Sequence, residues 1–354
     1  METDIMTSIE IQKIKKSNLD KSTLNGRKFG STFTDHMFIC TFKDGKWQDA
    51  KITPYQPLQL QPSARVFHYG QAVFEGMKAY KDEADQVWLF RPDENQKRIN
   101  KSAKRLSMPE FPADLFMEGL TTLMEIEREW IPNADGNSLY IRPFMIATGN
   151  GIFAAPSDEY TFMIICSPSG KYYSKDVQVV IAEKYSRAAN GGVGAAKAAG
   201  NYAAQFYPTQ LAIDAGYDQI VWTDSTRKYL EEAGTMNIFF RIEDKLITAP
   251  ISRRILDGVT RKSIIAIARK QGITVEERRI KVKEIKKAVK NGTLKEMFGA
   301  GTAAVIVPIS HFSHKDKDYE IAKIENRYSE MFKKQLTDIQ YNRAEDSFGW
   351  RVKV

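Results

Sequence analysis

Gly191-Gly192-Val193-Gly194-Ala195-Ala196-Lys197-Ala198-Ala199-Gly200-Asn201-Tyr202 places one lysine among residues with almost no side chain. Lys197 is the only charged residue between Arg187 and Asp214. Most lysines are solvated surface charges, and taken alone this one reads the same way. Its neighbours permit a second reading. Small side chains let a bulky planar ligand approach the backbone, and glycines reach conformations that other residues avoid. A lysine shielded from water in such a place acts as a nucleophilic amine that forms a Schiff base. The rest of the chain must then supply the other parts of the site.

With 354 residues the chain is long enough for two domains, each with a sizeable core. A hydrophobic fraction of 42% and a charged fraction of 27% are those of a soluble globular protein. A net charge of +8 and a pI near 9.1 raise the question of a polyanionic partner. The basic residues are scattered among acidic ones, so the reading is a mildly basic enzyme with no nucleic-acid partner. The densest basic run, Arg278 to Lys290, reads as an amphipathic helix with a solvated lysine face and Val282, Ile285 and Val289 turned inward. Cys40 and Cys166 sit in apolar, strand-like runs and read as buried free thiols, compatible with a reducing compartment. The four histidines, His36, His68, His311 and His314, take part in no metal-site spacing. No apolar run is long enough to span a bilayer, so no membrane partner is expected. Glu2, Asp4 and Glu10 without an apolar run argue against a signal or transit peptide, and the expected address is the cytoplasm.

Along the chain, strands are expected at Met37 to Phe42 and, after the Asp44-Gly45 turn, at Lys46 to Ile52. Phe67 to Tyr80 is dense in aromatics and glycine, as a core or a ligand wall requires. After the strand Val87 to Phe90, helices are expected over Asp93 to Ser107, with Asp93 as N-cap, and over Asp114 to Glu129. Leu139 to Ala147 and Tyr160 to Cys166 are β-rich, separated by a Gly/Ala/Pro loop. Pro168-Ser169-Gly170 punctuates the chain. The expected small domain is therefore 1–168, the linker 169–177 and the large domain 178–354. The second half reads as a strand from Val177 to Ala182, the Lys197 loop, a helix from Tyr202 to Ala215, and strands at Gln219 to Trp222, Met236 to Arg241 and Lys245 to Thr248. A helix from Arg261 to Lys270, a Gly-rich turn at Phe298 to Ala304, a strand from Val305 to Ile309 and a helix from Ile321 to about Tyr341 complete it.

Three features of this half belong to one chemistry. They are the lysine in its small-residue loop, the carboxylate Glu232, and Gly-containing turns, of which Gly258-Val259-Thr260 opens a helix. A glycine turn at a helix N-terminus presents backbone N–H groups and the positive end of the dipole to a phosphate. An amine for an imine, an anion cradle and a carboxylate that keeps a ring nitrogen protonated are what pyridoxal 5′-phosphate (PLP) needs.

Phe33-Thr34-Asp35-His36-Met37, Tyr69 to Lys78, Gly194 to Tyr202, Glu232 to Asn237 and Gly299 to Ala303 together resemble the branched-chain amino acid aminotransferases. These are PLP enzymes of fold type IV. The resemblance runs from about Phe29 to Ile339 in the same order and at similar spacing. It implies two α/β (α+β) domains with the cofactor in the cleft between them, and a homodimer whose loops help close the partner's pocket, with Gly149 to Ser157 the candidate loop. It implies that Lys197 holds PLP and shuttles the substrate proton. By the same resemblance Tyr202 meets the phenolic oxygen and Glu232 the ring nitrogen. Arg98, Val259, Thr260 and Thr302 meet the phosphate. Phe29, Tyr69, Phe74, Tyr140, Tyr172 and Thr235 form the substrate walls, with Thr235 also beside the cofactor. Ala303 lies near the substrate carboxylate, and Arg142 engages the distal carboxylate of glutamate. The implied reaction transfers the amino group of leucine, isoleucine or valine to 2-oxoglutarate.

One departure stands out. Some members carry Cys-x-x-Cys after the Gly-Thr-Ala turn as a redox switch, and Ala304 and Val307 occupy those places here. D-amino acid aminotransferases and aminodeoxychorismate lyases share the Lys/Glu pair but are usually shorter and lack the FTDHM and FEGMKAY context. A lysine-dependent aldolase would need no Glu232.

Overall fold

The computed structural model describes residues 8–170 and 175–354, the Thr23 side chain excepted. Contacts divide the chain into two compact units. One comprises Met1–Tyr172, Ala196–Ala199 and Ile339–Val354, the other Tyr173–Ala195 and Gly200–Asp338. This differs from a single cut at 169–177. The C-terminal strand Arg351–Lys353 pairs with Val87–Phe90, so the chain end returns to the first sheet.

The first unit is built on a nine-stranded sheet among the described residues. Its middle is the antiparallel set Lys46–Pro54, His36–Lys43, Tyr160–Ser169, Ser138–Ala147 and Met77–Lys81, with the short Ala72–Phe74 alongside Ser138–Ala147. Alternation sends Phe38, Cys40 and Phe162 to one face, where Phe111 stacks on Phe162 at 3.8 Å. Each such fully buried side chain contributes roughly 1.5–3 kcal/mol over its exposed state. The helices Pro92–Arg105 and Ala113–Ile126 pack there through Ile99, Ala103, Phe116 and Leu120. Pro92 opens the first of these helices and the left-handed Arg91 (φ 52°) caps it, so Asp93 lies in the first turn and does not serve as N-cap.

The second unit is built on a ten-stranded sheet among the described residues. Six strands close on themselves: Met236–Ile242, Leu294–Gly301, Val305–Ser313, Val177–Ile181, Gln219–Thr223 and Tyr229–Ala233, the last pairing back to the first. Closure removes the free edges of this ring. Val179, Val221, Ile238, Phe240 and Val307 belong to its core.

Several expected boundaries move. Phe298 to Gly301 is strand and not turn, because Gly299 leaves room for Met236; a Cβ there would stand 2.8 Å from the Met236 Cε. The helix expected from Arg278 covers Val282–Lys290, because Ile280–Lys281 pair with Tyr229 and Leu230 as strand. The last helix is Tyr328–Gln340, preceded by the left-handed Asn326 at φ 55°. Among the described residues no helix is long and apolar enough to cross a membrane, and no group of His, Cys, Asp and Glu is arranged to hold a metal.

Candidate active site

In the first unit the main chain of Lys197 is pinned on both sides. Its N–H donates to the Ser102 hydroxyl at 2.9 Å, and its carbonyl accepts from the Phe74 N–H at 3.0 Å. Ala198 forms a bridge to Val73. The small residues let the loop lie flat against the strand Ala72–Phe74, and the lysine is thereby aimed. Its Nζ stands 4.7 Å from the centre of the Phe74 ring.

Phe74 belongs to a chain of contacts that collects three of the six expected wall residues, Phe29, Phe74 and Tyr140, with Arg142. The Arg142 guanidinium lies 4.7 Å from the Phe74 ring and donates to the Tyr140 hydroxyl at 3.1 Å. Tyr140 meets Phe29 edge to face at 4.6 Å. Gly76 makes room for that hydroxyl, since a Cβ there would come within 2.1 Å of it. Tyr69 is not brought into this group. Its ring is exposed, and its hydroxyl donates to the Ile152 carbonyl. Tyr172 lies outside the described residues.

Arg98 sits in the helix Pro92–Arg105 and is buried. Its Nε and Nη2 both donate to Glu75 at 2.7 Å, a two-pronged pair that fixes the guanidinium plane. Asn95 also donates to Glu75 at 2.7 Å. Burial pushes the Glu75 carboxyl up, but the charges of Arg98 and Lys197 and these hydrogen bonds outweigh it and hold the group below the usual glutamate range. Glu75 therefore serves as a buried anion beside the lysine. The sequence signal for it was Phe-Glu-Gly, an acid between an aromatic and a glycine.

In the second unit Glu232 lies within the strand Tyr229–Ala233, directly opposite Asn237 across the seam that closes the ring. Its Oε1 accepts from the Asn237 amide and from the Leu256 N–H, both at 3.1 Å. Its Oε2 lies 2.5 Å from Arg187 Nε. Thr235 is at the exposed tip of the two-residue turn joining these strands. Asn237 also faces Ala300, and the chain turns at Thr302 and Ala303 just beyond. Asn237 touches Gly258 as well: a Cβ on Gly258 would stand 2.0 Å from its Oδ1. Gly258 opens the helix Val259–Lys270 with no side-chain cap, so the N–H groups of Val259 and Thr260 lie at a bare positive helix end. Glu232 and Gly258, which opens the helix Val259–Lys270, thus meet at Asn237. Tyr202 lies half-buried in the first turn of the helix Ala199–Asp214.

Arg187 was not singled out from sequence. It donates through Nη2 to the Gly194 carbonyl at 3.0 Å and to the Arg254 carbonyl, and holds Glu232 through Nε. The glycine at 194 is required there, because a Cβ would meet the Arg254 carbonyl at 2.7 Å. Its signal was its place as the first charge before Lys197.

Each unit offers groups that fit PLP: the first an amine on a fastened main chain, the second an uncapped helix end for a phosphate, a glycine where backbone approaches closely, and an oriented carboxylate. Residues 72–312 match the family model for amino-transferase class IV. Branched-chain-amino-acid transaminase 1 of Bacillus subtilis (strain 168) is 45% identical over 350 residues, covering 96% of each chain. The branched-chain aminotransferase of Thermoproteus uzoniensis, solved with norvaline, shares the fold with a TM-score of 0.75 at 23% identity over 90% of this chain and 99% of that one. The branched-chain amino acid aminotransferase of Thermobaculum terrenum, solved in its PLP form, gives 0.73 at 22% identity over 90% and 98%. The chain belongs to the branched-chain-amino-acid aminotransferases of amino-transferase class IV, the PLP-dependent enzymes of fold type IV.

Proposed function

We propose that this chain moves the amino group of L-leucine, L-isoleucine or L-valine reversibly to 2-oxoglutarate. Bound PLP supplies an aldehyde and an electron-accepting ring. Lys197 Nζ is the amine that would hold the cofactor, and the same amine would serve as the base for the substrate Cα proton. Glu232 keeps a proton on the ring nitrogen, oriented by Asn237, the Leu256 N–H and Arg187. The bare helix end at Val259 and Thr260, with Thr302 and Arg98, holds the phosphate. Tyr202 hydrogen-bonds the phenolic oxygen. Phe29, Phe74 and Tyr140 exclude water from a branched side chain, while Arg142 pairs with the distal carboxylate of glutamate. Thr235 and Ala303 border the substrate. The observation that carries this reading is the Lys197 main chain, fastened at both N–H and carbonyl with its Nζ over Phe74.

The test is the visible absorption of the full chain loaded with PLP. L-Leucine should bleach the bound chromophore and 2-oxoglutarate restore it, and Lys197→Ala should abolish both turnover and the leucine response. A protein that stays colourless when PLP is supplied, or one that turns over D-alanine in place of L-leucine, overturns the assignment.

The same reading includes a homodimer and a cytoplasmic address. The helix Ala199–Asp214 exposes Phe206, Tyr207, Leu211 and Ile213, and the 149–157 loop exposes Ile152 and Phe153. Apolar groups of this size in water favour a covering surface, and a stable dimer needs about 1,000 Å² or more buried. Sedimentation showing a fully active monomer would refute the dimer. Cys40 and Cys166 are free and buried, with the Cys40 thiol pushed by burial to about 12, which fits a reducing compartment.

A further inference from the structure

The helix Val282–Lys290 turns Val282, Ile285 and Ala288 into the second unit, and its lysines line a cavity of about 650 Å³. Arg227, Lys228, Lys281, Lys283, Lys286, Lys287 and Lys290 surround it with Tyr229, Val282, Asn291 and His314. Seven permanent cations and no carboxylate form this lining, in a chain whose whole net charge is +8. Among the described residues none of the seven has a carboxylate within ion-pair distance. Some lysines elsewhere are paired, as in Lys97–Asp93, Lys245–Glu276 and Lys334–Asp338. The nearby acids have partners of their own, and Asp224 also accepts from the Lys228 and Tyr229 N–H groups at the cavity wall. Asp224 takes Arg279, Glu284 takes Arg278, and Glu183 accepts from the Lys315 N–H.

Several of the cations are also held in place. Arg227 donates to the Ser186 hydroxyl and, at 2.6 Å, to the Lys184 carbonyl. Lys286 Nζ lies 5.3 Å from the Tyr319 ring centre and 3.4 Å from His314 Nδ1. Lys281 Nζ stands 5.8 Å from the Tyr229 ring centre. A merely solvated lysine face spreads its charges over a convex surface. Here a strand end, a helix face and His314 line one concavity, where like charges repel until an anion enters.

We infer that this cavity binds a compact polyanion carrying two or more linked phosphate groups. The volume suits a small molecule, and the number of cations exceeds what one phosphate can engage. The inference is independent of the transaminase reading, since none of these residues belongs to the catalytic site.

The experiment is calorimetric titration of the PLP-loaded full chain with sodium tripolyphosphate, in parallel with ATP and with inorganic phosphate. Saturable one-to-one binding of tripolyphosphate is expected, weakening as salt rises. ATP competing for the site would identify a nucleotide source, and ATP failing to compete a free oligophosphate. Lys286→Gln should weaken binding about tenfold and Lys286→Gln/Lys287→Gln about a hundredfold, as for charge-assisted hydrogen bonds. Lys97→Gln/Lys334→Gln removes the same charge elsewhere and should change affinity by less than about twofold. The absence of saturable binding overturns the inference. So does equal weakening by the control pair, equal affinity for inorganic phosphate, or binding confined to a polymeric RNA.

Discussion

Replacing Arg187 by methionine keeps a long, flexible side chain and removes the cation that faces Glu232. Both side chains are almost fully buried, at 5% and 4% exposure, so neither charge has water to fall back on. Removing one member of such a pair costs about 3–5 kcal/mol, because the survivor is left charged and uncompensated. The bonds to the Gly194 and Arg254 carbonyls are lost with it, and these carbonyls lie in the loop that precedes Lys197 and in the segment packed on it. For a chain of this size, with about 2.1 cal/mol/K of unfolding entropy per residue, about 3–5 kcal/mol corresponds to a fall of roughly 4–7 °C in melting temperature. The assay is thermal and urea unfolding of the apoenzyme, so that cofactor affinity does not enter. A double-mutant cycle then separates the pair from the packing. Arg187→Met with Glu232→Gln removes both charges, and should be less destabilised than the sum of the single variants by about 2 kcal/mol or more. A loss below about 1 kcal/mol in Arg187→Met, or additivity in the cycle, would refute the argument that Arg187 holds Glu232 in place.

Gly258→Ala drives a methyl group into Asn237 Oδ1 and should cost about 1–3 kcal/mol, with weaker PLP retention measured by equilibrium dialysis. Arg142→Gln should raise KM for 2-oxoglutarate about tenfold while leaving that for leucine within about twofold, since only the acidic substrate needs the guanidinium. Glu75 titrates below the ordinary glutamate value of 4.5, so its contribution is complete above that pH and is lost as pH falls through the lower folded value. Glu75→Gln should therefore be less stable than the parent near neutrality, by about 3–5 kcal/mol for the stranded Arg98, and the gap should close in acid-unfolding curves below pH 4.5.

Much of the architecture was legible in local pattern. The strands around Met37, Leu139, Val177 and Met236 follow from β-branched and aromatic runs, and their ends in the structure lie within one residue of those expected. Lys197 stood out because one charge among glycines and alanines is a local anomaly, and its family context placed Glu232, Tyr202 and the helix opening at Val259 by order alone. Helix ends were less legible. The apolar spacing before Val282 fits a helix, yet Ile280 and Lys281 are taken by a strand partner, Tyr229 and Leu230, far earlier in the chain. Gly299 and Gly301 read as a turn until Met236 is known to lie over them.

What local sequence could not supply is pairing. An arginine and a glutamate in the chain carry no label saying which opposes which, and Arg187–Glu232 and Arg98–Glu75 arise only where strands and helices distant in sequence bring them within hydrogen-bond reach. The return of Arg351–Lys353 to Val87–Phe90 is of the same kind. The lysines of the helix Val282–Lys290 looked solvated because periodicity reports only which face points away from the core. Whether that face is convex, or walls a cavity with Arg227 and His314, is decided by the neighbouring strands. Residue types and their order determined the chemistry available to this protein. Burial and long-range contact decided which charges were paired, and so which groups are oriented and which sites are left cationic.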